Sequence, residues 1–307
     1  MTEYIDFLDV EKNEINNLPE NASISTMCAS LTLNVNLSYE NIIKYLELDP
    51  ENILKIQYKD ELRTLLKLKT KKKHNNTIVK ARKNVFYNQI TIVIRIDSGP
   101  YKDINKLKQI NMKLFGNGSI QMSGCKSIKN INIALNKLVN RLSEVVKIKE
   151  NDNIIEKRFF EGDKIRVSNF KIDMINSNYK LNMIINRENL YELLIKKKIK
   201  SYYEPCIRAC VIIKYVPEVD NNELKEISVF IFEKGNIIIT GARSKNHIIS
   251  SYNYVNNILK EHQDENNIDI ETQIKREEEL IFKFYKEIEE QDKMGMFKTS
   301  IITPLKN

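Results

Sequence analysis

The sequence predicts an α+β fold built from two direct repeats, and three observations carry that prediction. The first is self-similarity. FGNGSIQMSGCKS at Phe115–Ser127 and FEKGNIIITGARS at Phe232–Ser244 share the pattern F-x-x-G-x-I-x-x-[ST]-G-x-[KR]-S at a constant, ungapped offset of 117 residues. The second is that both segments run into an amphipathic helix in the same phase. Ile131, Leu135, Leu138 and Leu142 in the first copy correspond to Ile248, Tyr252, Val255 and Leu259 in the second, a spacing that makes one apolar stripe. The third is alternation of apolar and polar residues upstream, the period of a half-buried strand.

Each element follows in order. Residues leading to Phe115 or Phe232 form a strand, Gly118 or Gly235 occupies a tight turn, and a second strand follows. Gly124 or Gly241 is then expected to turn the chain into the helix, with Ser127 or Ser244 as its N-cap. Upstream in the first copy, Ile24–Leu37 sets Met27, Ala29, Leu31 and Leu33 on one face and Thr26, Cys28, Ser30 and Thr32 on the other. A helix at Tyr39–Leu48 and a strand at Ile90–Ile96 complete it. The second copy offers a strand at Phe170–Lys180, a helix at Glu188–Ile199 and a strand at Ala209–Tyr215. The expected organisation is an acidic N-terminal extension (1–20), repeat one (21–148) with a basic insertion near 62–84, a linker (149–164), repeat two (165–260) and an acidic helical C-terminal extension (261–307).

The chain has 307 residues, a formal charge of +8 and a pI near 9.0. Both ends are acidic, so the positive excess lies in the middle, which favours a polyanionic partner. Cys28, Cys125, Cys206 and Cys210 lie scattered, and His74, His247 and His262 show no ligand spacing, which argues against a zinc site and for a reduced, intracellular protein. No long apolar run suggests a membrane span. Paired carboxylates bracket no nucleophile, and there is neither a Gly-rich phosphate loop nor H-E-x-x-H, so an enzyme, a cofactor and a small-molecule substrate are not expected. The lysine runs Lys71–Lys73 and Lys196–Lys198 read as solvated faces.

The repeated segments resemble the TATA-box-binding protein family. SYYEP at Ser201–Pro205 is similar to the family's SSYEP, IFEKGNIIITGARS at Ile231–Ser244 to its IFxSGKVVLTGAK, and LFGNGSIQMSGCKS at Leu114–Ser127 to its IFSSGKMVCTGAK. In character it is closest to the versions encoded by large DNA viruses, and an Asn-, Ile- and Lys-rich composition fits an AT-rich genome. The resemblance implies a saddle: a curved antiparallel sheet whose concave face enters the minor groove of AT-rich promoter DNA, with helices on the convex face. In that family apolar wedges enter between base steps.

Carried over by motif position, the resemblance implies that Phe115 and Phe232 are wedges, one from each family pair. Ser123 and Thr240 match a groove-facing Thr, Gln121 and Ile238 the position of a groove-facing Val, and Arg95 and Lys214 a basic residue reaching phosphate. A large apolar residue ending a strand is by itself more often core, and only the repeat context turns Phe115 and Phe232 outward. The second wedges are replaced by Gln89, unless Phe86 substitutes through a register shift, and by Arg208. The family's two central Asn positions hold Thr26 and Met174, or Asp173 after a one-residue slip. Tyr203, Glu204 and Pro205 match a stirrup that docks a general-initiation-factor-like protein or RNA polymerase. The expected compartment is the nucleus or a viral factory, with packaging in the virion left open. A saddle that has lost DNA binding and works through protein contacts is the rival reading. The tail helix at Ile270–Ile288 is expected to pack back on the fold or bind a protein.

Overall fold

The structure, a computed structural model, describes residues 4–67, 87–97, 107–150, 153–218, 225–261, 267–268 and 270–293. The insertion's Lys71–Lys73, and Phe86, lie outside the described residues. The chain divides into two compact units. The first is Met1–Tyr179 with Tyr215–Ser228 and Ile238–Asn253, and the second is Lys180–Lys214, Val229–Ile237 and Tyr254–Asn307.

The first unit begins with a short helix α1 (Val10–Asn13), strands β1 (Ser23–Thr32) and β2 (Asn36–Leu37), and helix α2 (Tyr39–Tyr45). Strands β3 (Ile53–Tyr58), β4 (Glu61–Thr64), β5 (Gln89–Arg95), β6 (Gln109–Phe115) and β7 (Ser119–Cys125) follow, then helix α3 (Ile128–Leu142). A hairpin of β8 (Val146–Glu150) and β9 (Asn153–Lys157), a short β10 (Phe160–Glu161) and the long β11 (Ser168–Lys180) come next. The sheet is antiparallel, in the order β11-β1-β7-β6-β5-β3-β4. The α+β class and the antiparallel pairing expected from the sequence are therefore present. Strands β3 and β4, and the β8–β9 hairpin that runs from the end of repeat one into the expected linker, were not foreseen.

One face of this sheet is the core. Met27, Ala29 and Leu31 of β1, Ile120 and Met122 of β7, Ile110, Met112 and Leu114 of β6, and Ile90, Ile92 and Ile94 of β5 are all buried. Ile128, Ile131, Leu135, Leu138 and Leu142 of α3 are buried too, one stripe at helical spacing. Ser127 caps α3 as expected, accepting from the Asn130 amide at 3.1 Å.

The second unit continues with β12 (Ile184–Ile185), α4 (Arg187–Lys196), β13 (Ser201–Tyr202) and β14 (Cys210–Tyr215). The chain closes with β15 (Ile227–Phe232), β16 (Asn236–Ala242), α5 (Lys245–Glu261), β17 (Asn267–Ile268) and α6 (Ile270–Lys293). The order strand, short strand, helix, strands, helix thus occurs twice along the chain, from β1 to α3 and from β11 to α5. Asn186 caps α4 by accepting from the Asn189 amide, and Leu190, Leu193 and Leu194 form its buried side. Along α6, Leu280, Ile281, Phe282, Phe284 and Tyr285 are exposed, so these side chains do not pack back as one of the sequence expectations had it.

The two turn glycines behave as expected. Gly118 and Gly235 have φ of +79° and +72°, and their amides close turns onto the carbonyls of Phe115 and Phe232. The other pair needs correction. Gly124 and Gly241 also have positive φ, +86° and +93°, but each sits inside a strand, β7 or β16, and does not turn the chain into a helix. At Gly124 the β1 pairing steps from Met27↔Cys125 to Cys28↔Ser123, so the glycine is the extra residue of a β-bulge.

Candidate nucleic-acid interface

The other face of the first unit's sheet is polar, and strand register fixes what shares it. Gln89 lies directly opposite Phe115, Thr91 opposite Lys113, and Lys113 opposite Gln121. Gln121 in turn faces Ser30, Ser123 faces both Asn111 and Cys28, and Ser119 faces Thr32. Apart from Lys113 and Phe115, the residues paired across this face are Ser, Thr, Gln, Asn and one Cys, small or flat side chains that let another surface approach the backbone. Burial and the nearby Asp173 carboxylate push the Cys28 thiol pKa up, so this central cysteine stays protonated and neutral.

Phe115 is half-buried at the end of β6 on this face, where the expected partner of a wedge pair is Gln89. Lys55, Gln57, Lys59, Gln89, Thr91, Asn111 and Lys113 line a shallow depression beside it. Lys55, Lys59 and Lys113 were not singled out from the sequence. The alternation could have marked two of them, because Lys55 falls between Leu54 and Ile56 and Lys113 between Met112 and Leu114, all four buried; Lys59 lies just past β3 and carries no such signal. A small cluster of Leu54, Val93, Leu107 and Leu66 closes this face toward β3.

The middle of the face is where β1 meets β11. The pairing passes from Cys28↔Met174 to Ala29↔Ile172, so Asp173 is the extra residue of a bulge. The sequence left Met174 and Asp173 as alternatives for one position; the bulge sets both opposite Cys28. Asp173 accepts from the Ser30 hydroxyl at 3.1 Å and lies 3.9 Å from the Lys171 ammonium, which marks it as part of the polar face. Thr26 lies opposite Asn176, whose side-chain oxygen accepts from the Thr240 hydroxyl. Thr240 and Thr26 are half-buried, while Ser123, Gln121 and Ile238 are exposed. Asn176, unremarked in the sequence, is the amide that the middle of this face does carry.

Arg95 is not where the sequence put it. Its side chain is 1 % exposed, with Nη1 donating to Glu51 Oε1 at 2.9 Å and to the Pro50 carbonyl at 3.2 Å, and Nε to Asp97 at 3.1 Å. The strand-end position was read correctly, but the guanidinium turns inward because two carboxylates and a carbonyl satisfy it there. A phosphate would have to break those bonds to reach it.

In the second unit, Phe232 is half-buried at the end of β15, Lys214 is half-buried on β14 and Arg208 is exposed just before β14. Arg187 of α4 reaches Glu233 at 2.7 Å and the Ala209 carbonyl at 3.1 Å, with its guanidinium 5.9 Å from the centre of the Tyr203 ring. The Tyr203 hydroxyl donates to Glu188 at 2.7 Å, a bond that holds the Glu188 carboxyl below its usual range. Tyr203 is thereby braced against α4, while Glu204, Pro205 and the neighbouring Ile207 are exposed. Among the described residues no group of three or more His, Cys, Asp or Glu side chains gathers as a metal site would need, and no helix is long and apolar enough to cross a membrane.

The family model of transcription factor TFIID (or TATA-binding protein, TBP) matches residues 169–262. These residues belong to the TATA-box-binding protein family. The chain is also 33 % identical over 256 residues to the "TATA-box-binding protein-like" protein of Acanthamoeba polyphaga mimivirus, covering 78 % of this chain. It spans 65 % of that relative's length. Among solved structures it is similar to the Methanococcus jannaschii TBP, at 16 % identity and a TM-score of 0.48, over 78 % of this chain and 99 % of that one. The TATA-box-binding-protein likeness read from SYYEP and the two glycine hairpins is thus shown, most directly for the second repeat.

Proposed function

We propose that this TATA-box-binding-protein-like chain is a transcription-initiation factor that lays the polar face of its sheet in the minor groove of AT-rich promoter DNA. The observation that carries this reading is the company Phe115 keeps. A half-exposed phenylalanine stands at the rim of a floor of small polar side chains, with Lys55, Lys59 and Lys113 beside it. Apolar wedge, small floor and long-stemmed cations are the three residue types that minor-groove bending requires. Phe232, followed by the matching Gly235 turn, plays the same part in the second repeat, and the repeats are proposed as duplicated units spanning 21–148 and 165–260. The stirrup at Tyr203–Pro205 docks an initiation-factor-like protein or RNA polymerase, and the protein works without cofactor or chemistry in the nucleus or a viral factory.

Fluorescence anisotropy with AT-rich duplexes across a salt series tests the proposal. Saturable binding at low salt is expected, weakened by about thirtyfold or more in the variant carrying Phe115→Ala and Phe232→Ala, since each lost wedge forfeits at least roughly 1 kcal/mol of contact. Binding that ignores both substitutions sinks the wedge mechanism. Absence of saturable binding leaves the protein-contact scaffold as the reading.

The bulged Asp173 gives a second expectation. An anion on a face that meets phosphates and base edges repels them, so Asp173→Asn should tighten DNA binding several-fold at low salt, and less at high salt where screening acts. Unchanged affinity in that variant would place the DNA elsewhere.

A further inference from the structure

Beyond the DNA-facing sheet, the chain carries a second recognition surface, on the outer side of α3. Asn132 and Asn136 stand one turn apart on that helix, 0 % and 6 % exposed, and they read the backbone of the extended segment that begins at Tyr4. Asn136 Oδ1 accepts from the Ile5 amide at 2.8 Å and its Nδ2 donates to the Ile5 carbonyl at 2.7 Å. Asn132 does the same one step along. Its Oδ1 accepts from the Phe7 amide at 3.0 Å, and its Nδ2 donates to the Ile5 carbonyl at 3.0 Å and bonds the Tyr4 hydroxyl at 2.8 Å. Farther on, Leu8 is buried and the Glu14 carboxylate accepts from the Ile128 and Lys129 amides, filling the positive end of α3.

Three features mark this as a receptor for a peptide. Four of the hydrogen bonds from Asn132 and Asn136 go to main chain and so recognise an extended backbone, while the Tyr4 hydroxyl, buried Leu8 and the Glu14 carboxylate add side-chain selectivity. The charges are complementary: α3 carries Lys129, Lys137 and Arg141 and no acidic residue, whereas the bound segment carries Asp6, Asp9, Glu11 and Glu14 against the single Lys12. The paired grip is also particular to this helix: at the same 117-residue offset α5 keeps an amide, Asn253, for Asn136 but has Ile249 in place of Asn132. A buried Asn is costly unless satisfied, so the pair at α3 belongs with the strand it holds. If that strand lifts, water or another peptide can satisfy both amides, which a purely apolar contact would not permit.

We infer that the outer face of α3 is a binding site for an acidic peptide, extended at Tyr4–Leu8 and turning into the short helix α1, occupied in cis by Tyr4–Glu14 and opened to a partner's segment of the same chemistry when that strap lifts. Tethering gives the strap an effective concentration of about millimolar, so a competing peptide meets a mostly filled site.

The probe is a labelled peptide with the sequence of residues 4–14, titrated into the full chain. In a strap-release variant, Ile5→Pro with Phe7→Pro, the two donated amides are gone and α3 is untouched. The peptide should bind this variant at least tenfold more tightly than the wild type, and adding Asn132→Leu and Asn136→Leu should abolish that binding. Equal binding to wild type and release variant, or binding that survives the Asn→Leu pair, overturns the inference. So does failure of a natively melting release variant to bind. Hydrogen exchange on the wild type decides the matter if the release variant does not fold. The Ile5 and Phe7 amides should exchange at least a hundredfold faster than those of Met112 and Met122, through local lifting. Exchange of all four together would make the strap a fixed part of the core and end the proposal. None of these outcomes depends on whether DNA is bound.

Discussion

Gly235→Ala is expected to lower stability by about 3–4 kcal/mol and the melting temperature by about 10 °C, followed by circular dichroism or tyrosine fluorescence. Two effects combine. At φ +72° an L-residue is strained by roughly 1–2 kcal/mol. The new Cβ would also stand 2.2 Å from the Leu181 carbonyl oxygen and 2.8 Å from that of Met183, both backbone atoms that cannot swing aside. Those carbonyls are held near the turn by hydrogen bonds of the Leu181 amide to Gly235 and the Ile185 amide to Glu233. Relieving the clash therefore unzips the crossing between β11 and β12. Gly118 repeats the situation, its would-be Cβ 2.4 Å from the Val35 carbonyl. Gly116→Ala is the control: its Cβ meets only the Tyr39 side chain, at 3.5 Å or more, and a change below about 1 kcal/mol is expected. A Gly235→Ala protein that melts with the wild type would contradict the turn geometry.

Arg95→Met is the second large effect, and it separates fold from function. Removing the guanidinium leaves the Pro50 carbonyl without its donor and Glu51 and Asp97 without their cation. A loss of about 3 kcal/mol follows, near the low end for a broken buried pair because Glu51 still reaches water. DNA affinity measured well below the melting temperature should not change, and neither should the slope of log K against log salt. Lys113→Met should behave in the opposite way, with stability nearly unchanged and the slope reduced by about one counterion. If Arg95→Met lowers the slope while Lys113→Met does not, the inward reading of Arg95 is wrong.

What the sequence could and could not disclose follows from the range of each interaction. Alternation in Ile24–Thr32 and the stripe Ile131–Leu142 are local, and both elements stand where expected, with Ser127 capping the second. The glycines show a subtler limit. A sequence can say that Gly124 needs positive φ, but a turn and a bulge use the same backbone region, and only the pairing of β1 with β7 tells them apart. The same holds for Asp173 and Met174, which a bulge sets opposite the one residue Cys28. Arg95 was misread because its partner Glu51 lies 44 residues away, beyond any local pattern. Strand β3 was missed because Ile53–Tyr58 is short and runs straight into charged residues. The β8–β9 hairpin was missed because its few apolar residues lie among Lys, Glu and Asn, with Ile154 and Ile155 adjacent and exposed rather than alternating toward a core, which reads as a linker.

The edge of the first unit's sheet has a consequence for how this chain tolerates change. Strand β4 is four residues long, charged, and fastened by Arg63, which donates to the Ile43 and Leu46 carbonyls at the end of α2. It offers little ladder for another chain to extend. Because β3 pairs with both β4 and β5, the two ends of the intervening stretch are held close by the sheet itself. Loop-closure entropy rises only logarithmically, so doubling the length of a flexible connection between ends held this way costs about 0.6 kcal/mol. A reporter domain joined through flexible linkers between the ends of β4 and β5 is therefore expected to leave the melting temperature of the sheet nearly unchanged.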